Sequence, residues 1–291
     1  MVDLATIFIP GARFRTDASG AMILPSGRPT TDLPSLRIKG VGEGMIVQGS
    51  LPKVLRCDNV AASSVEEVSA TISHLERIIG LTLSSSRIFR LEVGATLLVQ
   101  RPPAEYLESW SFFGRYRQNT YSNCDTVKLV TRNKEFIGYD KGKELRPGKL
   151  PPVFAGYHGL RLELKYLKHQ SLLKVFGKPL SPWDLVQPEI WSRLRDQWKE
   201  FYFQIPKERL TRVSTKGLTP TEYRDALAHL GLCQVGESRA KGLIATGQAS
   251  GDIRKQYATR MRALIRDLIT DERITDSTKL TQEVDDAVRR V

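Results

Sequence analysis

Residues 87–99 read RIFRLEVGATLLV, a long run dominated by β-branched and other large apolar side chains and free of proline. Such a run predicts a long strand. A strand of that length needs hydrogen-bonding neighbours and a covered apolar face, so the rest of the chain is best read for what supplies them. The N-terminal MVDLATIFIPGARFR reads as a first strand, stopped by Pro10 and Gly11; it has no basic lead-in and does not resemble a signal peptide. Gly44–Leu55 (GMIVQGSLPKVL) predicts a short strand running into a turn at Pro52. Thr126–Val130 and Glu135–Lys141 flank Arg132-Asn133-Lys134 as a hairpin, and Gly159–Tyr166 predicts one more strand.

Helical spacing appears between these runs. Val65, Val68, Ile72, Leu75 and Ile79 share one face of a helix over 64–79, with Ser63 or Ser64 as its cap and Gly80 as its stop. A proline-led helix is expected over 103–113, and further helices over 172–176 and 183–203. Residues 17–35 and 147–152 read as loops. The pattern predicts an α+β fold over residues 1–205, a largely antiparallel sheet with helices on one face. Pro206 and Lys207 mark a boundary. Beyond it, in 206–291, no strand is expected. Thr219-Pro-Thr-Glu222 is a capping signature before a helix at 223–230, and two more helices follow near 237–246 and 253–269. The pair around Gly231 and Gly236 is compatible with a helix-turn-helix or with a plain helical bundle.

Charge narrows the partners. Lys and Arg number 44 against 32 Asp and Glu, a net charge of +12, which favours a polyanion, nucleic acid ahead of an anionic membrane. No apolar run is long enough to cross a bilayer. Cys57, Cys124 and Cys233 are scattered and give neither a disulfide framework nor a zinc spacing, so a reducing cytoplasm is the expected compartment. His74, His158, His169 and His229 form no paired metal motif. Neither a phosphate-binding GxxxxGK[ST] loop nor a GxSxG nucleophile turn occurs.

Two predicted strands share the tripeptide Arg-Leu-Glu: Arg90-Leu91-Glu92 and Arg161-Leu162-Glu163. Alternation puts each Arg on the same face as its Glu, with the leucines on the other. If the strands are neighbours, Glu92 and Glu163 approach each other and need a divalent cation or the arginines to compensate them. The alternative is that each Glu pairs only with the Arg two residues before it. Tyr139, in Gly138-Tyr-Asp-Lys-Gly-Lys-Glu144, sits among lysines at a strand end, where a tyrosine can accept a phosphoryl group or simply cap the sheet edge. Alternation along that strand would place Lys141 on its face.

Four segments in this order carry a resemblance. They are Gly49-Ser-Leu-Pro-Lys-Val-Leu55 with Asp58-Asn59; Arg87-Ile-Phe-Arg-Leu-Glu92; Phe136-Ile-Gly-Tyr-Asp-Lys-Gly-Lys-Glu-Leu145; and Gly159-Leu-Arg-Leu-Glu163, running on to Phe176-Gly177-Lys-Pro-Leu-Ser-Pro-Trp-Asp-Leu185. They resemble the gene II replication initiators of filamentous phages and related phage and plasmid replication proteins. The likeness spans about residues 45–186 and fades after 205. It implies an HUH-like nuclease fold and rolling-circle initiation: one strand of the origin is nicked by transesterification onto a tyrosine, with Mg²⁺ or Mn²⁺, and later rejoined. By position, it implies Tyr139 as nucleophile assisted by Lys141, and Glu92 and Glu163 as metal ligands. Asp58, where some relatives have histidine, would be the third ligand. Lys53, Arg56, Asn59 and Lys143 would contact DNA. Origin DNA, a host helicase and a host DNA polymerase are the implied partners, in a bacterial cytoplasm. A non-catalytic origin- or operator-binding protein on the same fold is the rival expectation.

Overall fold

In the computed structural model, the strand expected at 87–99 forms over Arg87–Val99 and lies near the middle of an eight-stranded sheet. The structure describes all residues except 1, 14, 17–21, 31–32, 34, 57–58, 62, 112–115, 122–124, 146–153, 208–210, 214–218, 220–223, 225–226, 229–230, 232–236, 252–253 and 271–273. The strands are β1 (Val2–Pro10), β2 (Arg15–Thr16), β3 (Met22–Ile23), β4 (Leu36–Val41), β5 (Gly44–Ser50), β6 (Arg87–Val99), β7 (Arg117–Tyr121), β8 (Thr126–Val130), β9 (Lys134–Asp140) and β10 (His158–Tyr166). Their order in the large sheet is β4-β5-β1-β6-β10-β9-β8-β7, and every neighbouring pair is antiparallel. β2 and β3 form a separate small hairpin.

One face of the sheet is the core. Leu91, Val93, Leu162, Leu164 and Tyr166 are fully buried there. α6 (Pro188–Gln204) and α3 (Pro103–Leu107) pack on this face, with Leu107 beside Gly138 of β9, and α2 (Val65–Ile79) and α5 (His169–Phe176) belong to the same unit. Ser64 caps α2, accepting from the Glu67 N–H while Glu67 reaches back to the Ser64 N–H. Gly80 ends it in the left-handed conformation, at φ 79°. Trp198 on α6 is fully buried and donates its indole N–H to the Leu162 carbonyl at 3.2 Å, fixing the helix on β10. Phe201 stacks on Phe136 of β9 at 4.8 Å.

Several local expectations change. The segment after β5 is not a turn at Pro52 but a short helix, α1 (Leu51–Leu55), because a proline in the first turn gives up an N–H that has no partner there anyway. β4 was not foreseen; half of its side chains are exposed, so it has no apolar run. The helix led by Pro103 is α3 (Pro103–Leu107), shorter than expected. The expected helix over 183–203 is divided: Pro182–Val186 is a 3₁₀ turn capped by Ser181, and α6 begins at Pro188, whose ring disfavours helix at Gln187. β9 stops at Asp140 because the Asp140 carboxylate accepts from the Lys143 N–H and starts a single helical turn, α4 (Lys141–Glu144). The loop over 147–152 lies outside the described residues.

Met1–Lys207 with Glu283–Val291 make one compact unit, and Glu208–Gln282 make a second. Residues 283–291 belong to the first unit because the Tyr106 hydroxyl donates to Glu283 at 2.6 Å and the Tyr202 hydroxyl to Asp285 at 2.7 Å. The second unit is not purely helical. β11 (Thr211–Val213) pairs antiparallel with β12 (Ile274–Asp276), three residues each and too short to give an alternating signal. Helices α7 (Glu237–Ala249) and α8 (Lys255–Thr270) pack through Ile244, Ala258 and Ile265. A further helix, α9 (Ser277–Arg290), ends the chain. Most of the helix expected at 223–230 lies outside the described residues. No helix among the described residues is long and apolar enough to cross a membrane.

Candidate functional site

The second face of the sheet carries the two Arg-Leu-Glu strands side by side. β6 and β10 are paired from His158↔Val99 to Tyr166↔Leu91, which sets Lys165 opposite Glu92 and Glu163 opposite Gly94. Gly94 leaves the space that Glu163 fills: a Cβ there would fall 2.5 Å from the Leu162 carbonyl oxygen and 2.9 Å from Glu163 Cγ. β9 lies on the far side of β10, with Tyr139 opposite Arg161 and Ile137 opposite Glu163.

These positions make a buried ionic cluster. Glu92, Glu163, Arg161 and Asp3 are at most 6% exposed. Lys165 Nζ sits 3.1 Å from Glu92 Oε2 and 3.1 Å from Glu163 Oε2, bridging the two carboxylates. Arg90 donates to Glu92 Oε1 at 2.8 Å, and Arg161 Nε donates to Glu163 Oε1 at 3.1 Å. Arg161 also donates to Asp3 and to Thr96 Oγ1. The Tyr139 hydroxyl donates to Glu163 Oε1 at 3.0 Å. Thus each Glu keeps the Arg two residues before it, and the two Glu meet as well, through an ammonium the sequence reading did not use.

The electrostatics follow. Burial pushes the Glu163 carboxyl up, but Lys165 and Arg161 outweigh it and hold the group below the ordinary carboxylate range. Burial also works against the Lys165 ammonium, and Glu163 and Glu92 overcome it, so the lysine stays charged above its ordinary range. Burial, then the negative charge of Glu163, push the Tyr139 phenol far above its ordinary value of 10.0. Resting Tyr139 is a protonated hydrogen-bond donor.

The other site candidates fall in three places. Asn59 and Lys141 are inside the cluster. The Asn59 amide donates to both Asp3 oxygens at 3.1 and 3.2 Å and accepts from Lys141 Nζ at 2.9 Å. Lys141 is fully buried; it also bonds Glu144 at 2.6 Å, and its ammonium lies 5.8 Å from the Tyr139 ring centre. It reaches this place from α4, not by strand alternation. Asn59 is 9% exposed and faces Asp3. Lys53, Arg56 and Lys143 lie outside the cluster: Lys53 is exposed on α1, Arg56 pairs with Glu67 at 3.3 Å, and Lys143 pairs with Asp125. Asp58 lies outside the described residues.

The implied divalent metal can be tested against this donor set. Glu92 and Glu163 do converge, but on the Lys165 ammonium, and Arg90 and Arg161 take up further carboxylate oxygens. Among the described residues no group of three or more His, Cys, Asp or Glu is arranged to hold an ion. A pair of carboxylates already neutralised by three cationic side chains does not fit Mg²⁺ or Mn²⁺ as arranged.

Asp3 and Lys165 are the members that sequence reasoning missed, whereas Arg161 stands where the tripeptide placed it, beside Glu163. Arg161 and Lys165 stand two residues either side of Glu163, so alternation alone places all three on one face. Asp3 is the lone acid in an otherwise apolar first strand, a buried-polar signal readable at sight. No protein-family model matches the chain, and no curated protein matches it significantly.

Proposed function

We propose that this chain is a DNA strand-nicking and strand-transfer enzyme of the rolling-circle initiator type, with Tyr139 as nucleophile and Glu163 as its base. The observation that carries the reading is the 3.0 Å hydrogen bond from the Tyr139 hydroxyl to a Glu163 carboxylate that Arg161 and Lys165 hold in place. Nucleophile, base and orienting group in one hydrogen-bonded line are the pattern expected for covalent catalysis. In the reaction the Tyr139 oxygen attacks the scissile phosphorus and its proton passes to Glu163. The bond from phosphorus to the 3′-oxygen breaks, and that oxygen takes a proton from solvent and leaves as a hydroxyl, while Glu163 returns the phenol proton to solvent. A 5′-phosphotyrosine results, and its reversal reseals the strand without a nucleotide.

The resting charges oppose this transfer, since Glu163 is held a weak base and Tyr139 a weak acid. An incoming phosphate supplies the counter-charge that draws Lys165 and Arg161 from Glu163, raising its basicity as substrate arrives. The Mg²⁺ or Mn²⁺ implied by the resemblance remains a separate proposal that requires Lys165 to leave the carboxylates, and no step is assigned to the ion. The test is incubation of the full chain with a supercoiled plasmid carrying the DNA that flanks its gene, with Mg²⁺, with Mn²⁺ and with EDTA. Relaxed circles with protein attached through Tyr139, absent in Tyr139→Phe, are the expected result. An adduct on another tyrosine, or normal nicking by Tyr139→Phe, overturns the assignment.

One observation favours a second reading, an origin- or operator-binding protein without nuclease activity. The carboxylates of Glu92, Glu163 and Asp3 are all paired within the protein, as in a purely structural network. A shift of the same DNA on a gel without nicking under any of the three conditions would support it.

A further inference from the structure

The cluster occupies only the centre of the second sheet face; the outer strands β4, β5, β1 and the start of β6 present a different surface. Pairing aligns Lys39, Ile46, Phe8 and Arg87 in one row across the four strands. The neighbouring row is Arg37, Gln48, Thr6 and Arg90. Between Arg90 and Ile88 the register of β6 against β1 shifts, so Phe89 is an extra residue facing Thr6 and Ile7. Bulges re-aim side chains, and this one sets Phe89 outward on the open face at 43% exposure. Its ring meets Phe8 edge-on at 5.7 Å and, on another side, the ring of His169 at the start of α5, also at 5.7 Å.

Arg37, Lys39 and Arg87 are exposed, and among the described residues none has a carboxylate partner. Two acids of this face, Asp3 and Glu92, are already neutralised by Arg161, Arg90 and Lys165. The surface is therefore a pair of aromatic rings framed by cations that have no carboxylate partner among the described residues. Aromatic rings on such a face offer stacking to any base, and the cations offer contacts to phosphates.

We propose that this outer half-sheet is a platform for single-stranded DNA: Phe89 and Phe8 stack bases, and Arg37, Lys39 and Arg87 hold phosphates. The proposal rests on the strand-nicking reading for its choice of DNA, and it adds where the strand lies. Four strands span about 14 Å at ~4.8 Å per spacing, room for two or three stacked nucleotides. β10 and β9 are the next two strands beyond β6, so Tyr139 lies on the same side of the sheet, past the buried cluster.

The experiment is fluorescence anisotropy of a fluorescein-labelled fifteen-residue oligo-dT with the full chain over a salt series, beside a labelled duplex and phosphatidylserine vesicles. Phe89→Ala should weaken oligo-dT binding roughly tenfold or more, with an unchanged melting temperature, while Phe89→Trp should retain it. Arg37→Ala with Lys39→Ala should make the log–log salt slope shallower by about 1.4, the value for two lost phosphate contacts on a single strand. Failure of the unmodified protein to bind oligo-dT, Phe89→Ala binding within twofold of it, or a Phe89-dependent preference for duplex or vesicles overturns the platform. The plasmid nicking assay separates this outcome from the enzyme reading. Phe89-dependent binding without nicking keeps the platform and removes the nuclease. Nicking with Phe89→Ala binding unaltered does the reverse.

Discussion

Arg90-Leu91-Glu92 and Arg161-Leu162-Glu163 have one local sequence and one local structure, yet their surroundings differ. In both, the leucine is fully buried in the core and the Arg reaches its own Glu two residues on. The Arg90 side chain is 36% exposed and makes that one ion pair, and its Nε is buried without a partner. The Arg161 side chain is 2% exposed and also bonds Asp3, Thr96 and the Asn59 carbonyl. Position explains the difference. At Arg161, β10 is enclosed by β6 and β9, and the Asn59 segment and α4 close over the same face, whereas Arg90 stands beside the bulge of β6 at the margin of the cluster. A tripeptide fixes which side chains share a face; the neighbouring strands decide whether the charge it carries is structural.

The sharpest way to break this comparison is to delete each arginine. Arg161→Ala leaves Asp3 and Glu163 buried without their guanidinium and should cost about 3–5 kcal/mol. Arg90→Ala removes a half-exposed pair and should cost about 1 kcal/mol or less. Urea midpoints followed by far-ultraviolet circular dichroism give both values. Equal losses would mean that the two sites are equivalent and that depth in the sheet does not matter.

Lys165 joins the two tripeptides, so its removal tests whether they form one cluster. Lys165→Met keeps the stem and deletes the ammonium, leaving Glu92 and Glu163 facing each other, and should cost about 2–3 kcal/mol. It also exposes an oxygen pair, so Mn²⁺ should bind this variant on the order of tenfold tighter than the unmodified chain, as read by titration calorimetry. Unchanged stability and unchanged Mn²⁺ binding would show that the two carboxylates do not share the lysine.

Replacing Arg161 by Lys is subtler. The charge survives, but a point ammonium cannot span Glu163, Asp3 and Thr96 at once, so the change should cost about 1–2 kcal/mol. Arg90→Lys, with one partner to keep, should be close to neutral. A melting-temperature pair for the two variants is sufficient.

The same contrast explains what could be read in the chain beforehand. The face of each Glu, the strand over 87–99, the cap at Ser64 and the antiparallel sheet are local or near-local consequences of residue type and period. Glu163 lying opposite Gly94 and Lys165 opposite Glu92 is a matter of register between residues about seventy apart, which no single segment encodes. The bulge at Phe89 and the α4 turn that carries Lys141 into the cluster were hidden for a different reason. Each breaks the period of two on which strand reading depends. β11 and β12 were invisible because three residues are too few to show any period.

Acid provides the smallest and most selective test. The folded Glu163 carboxyl titrates below its ordinary value of 4.5, since Lys165 and Arg161 favour its charged form over the burial that opposes it. A carboxyl lowered on folding contributes stability that is present above its unfolded pKa and lost as pH falls through the folded one. Glu163→Gln cannot titrate, so it lacks that contribution at every pH. The unmodified chain should therefore melt higher than Glu163→Gln at pH 7. The gap should hold down to about pH 5 and narrow as the pH drops through the region of 4.5 and below, where Glu163 becomes protonated and resembles the amide. Scanning calorimetry of both proteins from pH 7 to about pH 3 follows the gap directly. A gap that stays constant to the acid end would mean that the cations around Glu163 do not favour its charged form, and the base assigned to Tyr139 would lose the electrostatic setting described for it.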